Sequence, residues 1–522
     1  MVGMQAARKL FSLLIATLAV ASHIQHAVAN SQVLDVGLVS WLPISAQVDW
    51  SEAGLPEGIP EVPVGANVVD FGAVPDDALD DSRAFQNAIN AVKGTENNAI
   101  TIPAGNYVLS KTLTIDDSVV LRGAGAQNTH ITLAMPGNGI QVTKNDFGPW
   151  INLAQSSAFK ATSLNLASTK GIGAGDLIEL QQKNDKHLMY TSRKWNVPWA
   201  KMAVGQLLGV KNVSKNTVEL SEPTNIAFSL ELDAKVRRVN LVPWVGIEDL
   251  HFSRHPVPTK TGFSVFLKNT AYSWIRGVHS EDAVTNHIGA HRVYRCEIRD
   301  SYIHGSTDYG PGGNGYGVKL GYHVTGCLIE NNIFHSLRHS MLLHLGANGN
   351  VLGHNYSFDS KNQTGNVLPD ISVHGHYPFA NLFESNIVEE IGFADYWGPV
   401  GPLNTAYRNC VTKEGIWLQD HSSSQLLIGN TVLEALENYV GFSDDSLIEN
   451  ILAIANEPAD RIRLEQSSRI HSDGSEGYDI GASLYNMMKP EFYGSMPWPS
   501  TGNGFSQSCI NPAKQRHENR IP

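Results

Sequence analysis

Cysteine is scarce: the 522 residues hold four, Cys296, Cys327, Cys410 and Cys509. That number is too small for a disulfide-scaffolded fold, and none of the four shows the C-x-x-C spacing of a zinc site. Charge is also thin, at 17% of residues, and the 38 Lys and Arg are outnumbered by 50 Asp and Glu. The resulting net charge of -12 excludes a general nucleic-acid binder, which needs an excess of cations to neutralise phosphates. Long apolar runs are missing beyond the one from Leu10 to Ala21, and no later stretch approaches the ~20 residues of a membrane-crossing helix. Arg8 and Lys9 precede that run, and Ala27-Val28-Ala29 places small residues before Asn30. Residues 1–29 are therefore expected to be an export signal, leaving a mature chain outside the cytoplasm with no membrane attachment.

What is plentiful is glycine, 47 residues, in a chain that is 42% hydrophobic, the composition of a turn-rich globular protein. Residues 30–66 read as an extended lead-in. In "VVDFGAVPDDALDDSRAFQNAINAV" a short strand and turn give way to a helical pattern, with Ala84, Phe85, Ala88, Ile89 and Val92 on one face. Asp80 and Asp81 stand where a carboxylate caps such a helix. In "AITIPAGNYVLSKTLTIDDSVVLRGAG" short β-runs break at Pro103-Ala104-Gly105, Asp116-Asp117 and Gly123.

This stretch, "VVDFGAVPDD" with "IPAGNYVLSKTLTI" and "VVLRGAG", resembles the N-terminal module of the pectate-lyase-like superfamily. The resemblance implies an all-β fold, a right-handed single-stranded parallel β-helix whose N-terminal end is capped by the helix near 82–92. Residues 67–150 would form that cap and the first coils. It implies little about reaction, because the superfamily includes lyases, glycoside hydrolases, epimerases and phage tailspikes. Its calcium-dependent lyases hold the ion in an acidic cluster with Lys or Arg as base. No such set maps onto this sequence, so no cofactor is assigned and no calcium site is identified.

The second half points to a solenoid independently. An apolar residue, polar positions, an Asn and another apolar residue recur with the Asn at 332, 355, 386, 409, 430 and 450, at spacings of 23, 31, 23, 21 and 20. Such a period marks stacked coils, with Asn laddering from one to the next. "IRDSYIH" at 298–304 matches "IENNIFH" at 329–335, and "GIEDLHF" and "WIRGVH" extend the series back to 246. Residues 246–455 are thus the main coils, 151–245 a β-rich insertion, and 456–522 a segment covering the open end or an edge. In the insertion, Lys186, Arg193, Lys194, Trp195, Trp199 and Lys201 either hold a sugar chain or form a solvated loop over buried tryptophans.

Stacking turns sequence offset into adjacency, with equivalent positions about 4.8 Å apart. An offset of 31, from the match of 298–304 to 329–335, places Asp308 on His339 and Cys296 on Cys327, the latter as a disulfide or as stacked thiols. An Asp orienting a His makes a base or acid that works near neutral pH. Arg338 adds a fixed charge for a carboxylate, and the loop after Asp308 brings Tyr309, Tyr316 and Lys319. The long excursion after Asn355 carries Asp370, His374 and His376. The two histidines are a weak candidate metal pair without evident partners, so no metal is assigned. "FADYWGP" offers Asp395 and Trp397, and "WLQDHSSS" offers Asp420 and His421. An offset of 23, from Asn386 to Asn409, sets Trp397 on Asp420. His344 and His354 read as structural.

Two chemistries suit such a groove. A polysaccharide lyase needs a base and carboxylate-neutralising cations: His339, Asp308 as its orienter and Arg338. A glycoside hydrolase needs two carboxyl groups, drawn from Asp370, Asp395 and Asp420. Between 287 and 354 His or Arg occupies twelve positions, which favours an anionic polymer and hence β-elimination. Tyr309, Tyr316, Lys319, His374, His376, Trp397 and His421 are the expected substrate-binding residues. The alternatives are the hydrolase and a non-catalytic, tailspike-like binding protein, in either case a monomer or homotrimer.

Overall fold

A short strand buries little surface alone, so strands this brief persist by stacking on their equivalents in neighbouring coils. The computed structural model describes residues 47–433 apart from 97, 192–194, 255–261, 311, 364–367 and 394–396, parts of 451–471, and 480–519 apart from 503–508. One sheet of 13 strands runs from Val64–Asn67 to Ile470–His471. Ile247, Ile275, Ile298, Ile329, Leu352, Phe383, Ala406 and Leu427 succeed one another along it and are all buried. Each coil adds a second strand (His251–Arg254, His279–Ala283, Tyr302–Ser306, Ile333–His335, Tyr356–Phe358) and a third (Phe263–Ala271, Asn286–Tyr294, Tyr316–Leu320, His339–Leu343, Ile371–Val373). All pair in parallel with the next coil. The fold is a parallel β-helix.

The Asn ladder runs inside it. Nδ2 of Asn332, Asn355, Asn386, Asn409 and Asn430 donates to Oδ1 of the next rung at 2.9–3.0 Å. The rung after Asn430 is Asn456, where the spacing pattern pointed to Asn450, a residue outside those described. A second ladder, Asn350, Asn381, Asn404 and Gln425, lines another corner.

The helix Ser82–Val92 buries the expected face against the first strands. Its cap differs in detail. Asp81 gives its carboxylate to the N–H groups of Val74 and Val108, and Asp80 accepts from the Ser82 N–H and hydroxyl. Between Ile140–Val142 and Val242–Pro243 the chain builds a six-stranded antiparallel sheet. Glu179 of that sheet is buried against Arg237, Arg292 and His323. Burial alone would raise its carboxyl, but His323 and the two arginines outweigh it and hold the carboxyl below the usual range.

Of the C-terminal segment, the strands Ile462–Leu464 and Ile470–His471 continue the coils, and the described residues of 480–519 lie along the flank of the first sheet. The Tyr485 hydroxyl donates to Glu330 at 2.7 Å and the Leu484 N–H to Glu384 at 2.8 Å. Asn511 reaches Asn355 and Ser385, and a disulfide joins Cys410 to Cys509. Cys296 and Cys327 are buried free thiols, stacked with the Cys296 N–H 3.5 Å from the Cys327 sulfur. Of the two readings of that pair, the stacked thiols hold.

Burial pushes Glu330 up to about 7 and Glu384 up to about 8. Both bind their protons more tightly folded than unfolded. Their contribution is therefore complete below about pH 4 and is lost as pH rises through about 7 and about 8. The thermal midpoint should fall over that window, and Glu384→Gln should flatten the fall. An equally steep fall in the variant would show that other groups cause it.

Candidate active site

Both long coils place their extra residues at one corner, between the second and third strands. His304 pairs with His335, an offset of 31, but Tyr316 pairs with His339, an offset of 23. The excess is taken up by the loop 307–315, so the longer offset does not carry past it. Strand register therefore sets Tyr316 opposite His339. Within that loop Asp308 accepts from the Gly310 N–H at 2.7 Å and Asn314 at 3.0 Å, with Gln363 at 3.3 Å. The excursion 359–370 leaves from the same corner one coil later.

The two loops converge on His339. Its Nδ1 lies 2.8 Å from the Pro369 carbonyl, which can only accept, so Nδ1 carries the proton and the lone pair lies on Nε2. The Tyr316 ring sits 5.1 Å away. Arg338 Nη1 lies 3.4 Å from the Tyr316 hydroxyl and 3.2 Å from the Gly310 carbonyl, while its buried Nε has no partner among the described residues. Gly315 makes this crowding feasible: its φ is +75°, and a Cβ there would stand 3.1 Å from the Asp308 carbonyl and 3.2 Å from Arg338. His339 and Tyr316 are recessed, at 5% and 4% exposure.

Farther along the third strands the positions in register with Lys319 form a mixed row. Lys319 pairs with Leu342, then Ser372, Gly392 and Trp417. No hydrogen bond or ion pair of Lys319 occurs among the described residues, and burial lowers its ammonium to about 8. His344 faces His374 with ring centres 6.5 Å apart. Gly321 leaves it room, since a Cβ there would meet His344 at 3.0 Å and His291 at 3.2 Å. His344, read from the sequence as structural, is buried beside His374. Burial first, then Lys319, depresses His344 far below its usual value. His291 falls to about 3 through burial, with Arg292 and Lys319 adding to it. These imidazoles are neutral hydrogen-bonding groups near pH 7, so counting histidines overstates the local charge. Arg338 and Lys319 supply the fixed cations.

The candidate aspartates have separate surroundings. Asp370 is fully buried and turned inward, bonded to Ser357 at 2.5 Å and the Glu389 N–H at 2.6 Å. Burial, then the Glu389 charge, raises it to about 7. It pins the end of the excursion that holds His339. Asp420 and His421 occupy a turn of left-handed backbone after the strand Cys410–Leu418, three rungs from His339 and past the opposite end of the third strand. Asp395 lies outside the described residues. A bulge between Val388 and Glu390 shifts the register so that Ile391 meets Ile416, and the offset that set Trp397 on Asp420 does not apply beyond it. Trp397 instead joins Trp199 at 5.4 Å and His376 at 6.0 Å. Trp199 is 50% exposed and Trp195 buried, so one of the two insertion tryptophans presents a ring. Arg193 and Lys194 fall outside the described residues. The Tyr309 hydroxyl donates to the Ser336 carbonyl and accepts from the Ser306 N–H, both at 3.0 Å. His354 is sealed beneath Tyr493, 3.0 Å from its hydroxyl.

Residues 65–171 match the family model described as rhamnogalacturonase A/epimerase, pectate lyase-like. The stacked coils make the chain a parallel β-helix, and the match to the pectate-lyase-like family model spans its cap, its first coils and the start of the inserted sheet. The tailspike protein gp49 from Pseudomonas phage LKA1 is similar in structure, at 16% identity over 79% of this chain and 74% of that one, with a TM-score of 0.57. The A-module of the Azotobacter vinelandii mannuronan C-5 epimerase AlgE6 covers 79% of this chain and 90% of its own at 14% identity, with a TM-score of 0.42. No curated protein matches the chain.

Proposed function

We propose that this chain is an exported enzyme that cleaves a uronate-containing polysaccharide by β-elimination on its third-strand face. The observation that carries the reading is the meeting of His339, Tyr316 and Arg338, with the His339 proton fixed on Nδ1 by the Pro369 carbonyl. His339 Nε2 takes the proton next to the uronate carboxylate. The C–H electron pair becomes the new C=C bond and the glycosidic C–O bond breaks. The Tyr316 hydroxyl is placed to protonate the departing oxygen, while Arg338 and Lys319 neutralise the carboxylate as its charge spreads. Asp370, buried and hydrogen-bonded inward, is unsuited to the paired-carboxyl role of a hydrolase.

Incubation with uronate-rich and neutral polymers tests this. Ultraviolet absorbance of unsaturated uronate should appear together with new reducing ends; reducing ends alone would assign hydrolysis, and neither would leave a binding protein. The exposed ring of Trp199 is placed to stack on a sugar. Trp199→Ala should raise KM about tenfold, or about 1.4 kcal/mol, with kcat little changed. An unaltered KM would remove Trp199 from the binding surface.

A further inference from the structure

The second strands, on a different face from His339, hold a cluster that the reaction does not use. Register sets His251 on His279 and Glu281 on His304, so three successive coils contribute. The rings of His251 and His279 stack 4.0 Å apart and 5° from parallel. Nε2 of His251 lies 3.1 Å from the Glu281 carboxylate, and Nε2 of His279 lies 2.6 Å from Nε2 of His304. The donor atoms of His251, His279 and Glu281 all lie within 4.8 Å of one another.

We propose that His251, His279, Glu281 and His304 form a binding site for one divalent transition-metal ion of the zinc, cobalt, nickel or copper type. Imidazole and carboxylate donors suit such ions, whereas calcium requires six or more oxygens. Zinc–ligand bonds of about 2.0–2.1 Å give tetrahedral ligand edges of roughly 3.3 Å, close to the His251–Glu281 separation. Two imidazole nitrogens facing each other can share only one proton, and a cation between them removes that constraint. The near-parallel rings of His251 and His279 require one of them to rotate about its Cβ–Cγ bond so that the lone pairs converge. Both are partly exposed, which leaves room for that rotation. The ion would clamp three coils together, and the inference goes beyond the proposed reaction.

The test uses the full chain without a polyhistidine tag, stripped with chelator and titrated with zinc and with cobalt. One equivalent of zinc per chain, a visible spectrum of histidine-ligated cobalt and a higher melting temperature are expected. Glu281→Gln and His304→Gln should weaken zinc binding at least tenfold. Glu281 is partly exposed, so its variant keeps the test open if His304→Gln fails to fold. Weakening in either variant places the ion among these side chains. Absence of saturable one-to-one binding, or an affinity unchanged in the variants that fold, overturns the proposal, as does loss of binding in His344→Gln alone.

Discussion

His339→Ala is expected to lower kcat on a uronate polymer by about 10³-fold, within the range for loss of a positioned general base. KM should change little, because the carboxylate clamp of Arg338 and Lys319 stays in place. Tyr316→Phe keeps the ring beside His339 and removes only the hydroxyl; a loss of about 10²-fold is expected if it protonates the leaving oxygen. Arg338 then has one fewer neighbour, so Arg338→Lys in the same background separates charge from geometry. Full activity in His339→Ala would remove the base from the scheme.

Asn386→Ala should be among the most destabilising single changes in the chain. Its Oδ1 accepts from the Asn355 backbone N–H and Nδ2, both at 3.0 Å. Its Nδ2 donates to the Leu352 carbonyl at 2.8 Å and to Asn409 at 3.0 Å. Truncation leaves buried partners on both neighbouring coils without hydrogen bonds, at about 1–3 kcal/mol for each group left unsatisfied. A net loss of about 3–5 kcal/mol is expected, read as a lower denaturant midpoint and as faster amide exchange in the rungs of Asn355 and Asn409. Asn386→Asp keeps the acceptor but loses the donor and buries a charge, and should be no better. A midpoint within experimental error of the unaltered chain would show that the ladder is incidental to stability.

Much of the architecture is legible from residue order alone, because a coil stack repeats its chemistry at its own period. The Asn ladder through Asn332, Asn355, Asn386, Asn409 and Asn430 is visible as an apolar–polar–Asn rhythm. The second ladder repeats the same offsets of 31, 23 and 21 from Asn350 to Gln425. It stays hidden because its rungs lack a shared flanking pattern and the last is Gln. Offsets fail where loops intervene. The excess in 307–315 means that strand register pairs Tyr316 with His339, and the bulge before Glu390 changes the offset of 23 to 25. His339 Nδ1 is held by a backbone carbonyl, that of Pro369, which no side-chain pattern can announce. Charge is the other lesson. A histidine count suggests a cationic face, whereas burial leaves His291 and His344 neutral and shifts the electrostatic role to Arg338 and Lys319. Asp370 reads as a candidate acid in sequence and becomes an anchor in the fold, because its carboxyl finds Ser357 and two backbone donors below the face.

The most direct measurement of the central claim is mass analysis of the fragments released from a uronate polymer in heavy-oxygen water. Elimination forms its double bond without adding water, so the account predicts fragments lighter than hydrolysis products by one water, free of heavy oxygen at the cleaved bond. One heavy oxygen incorporated per bond broken would contradict it.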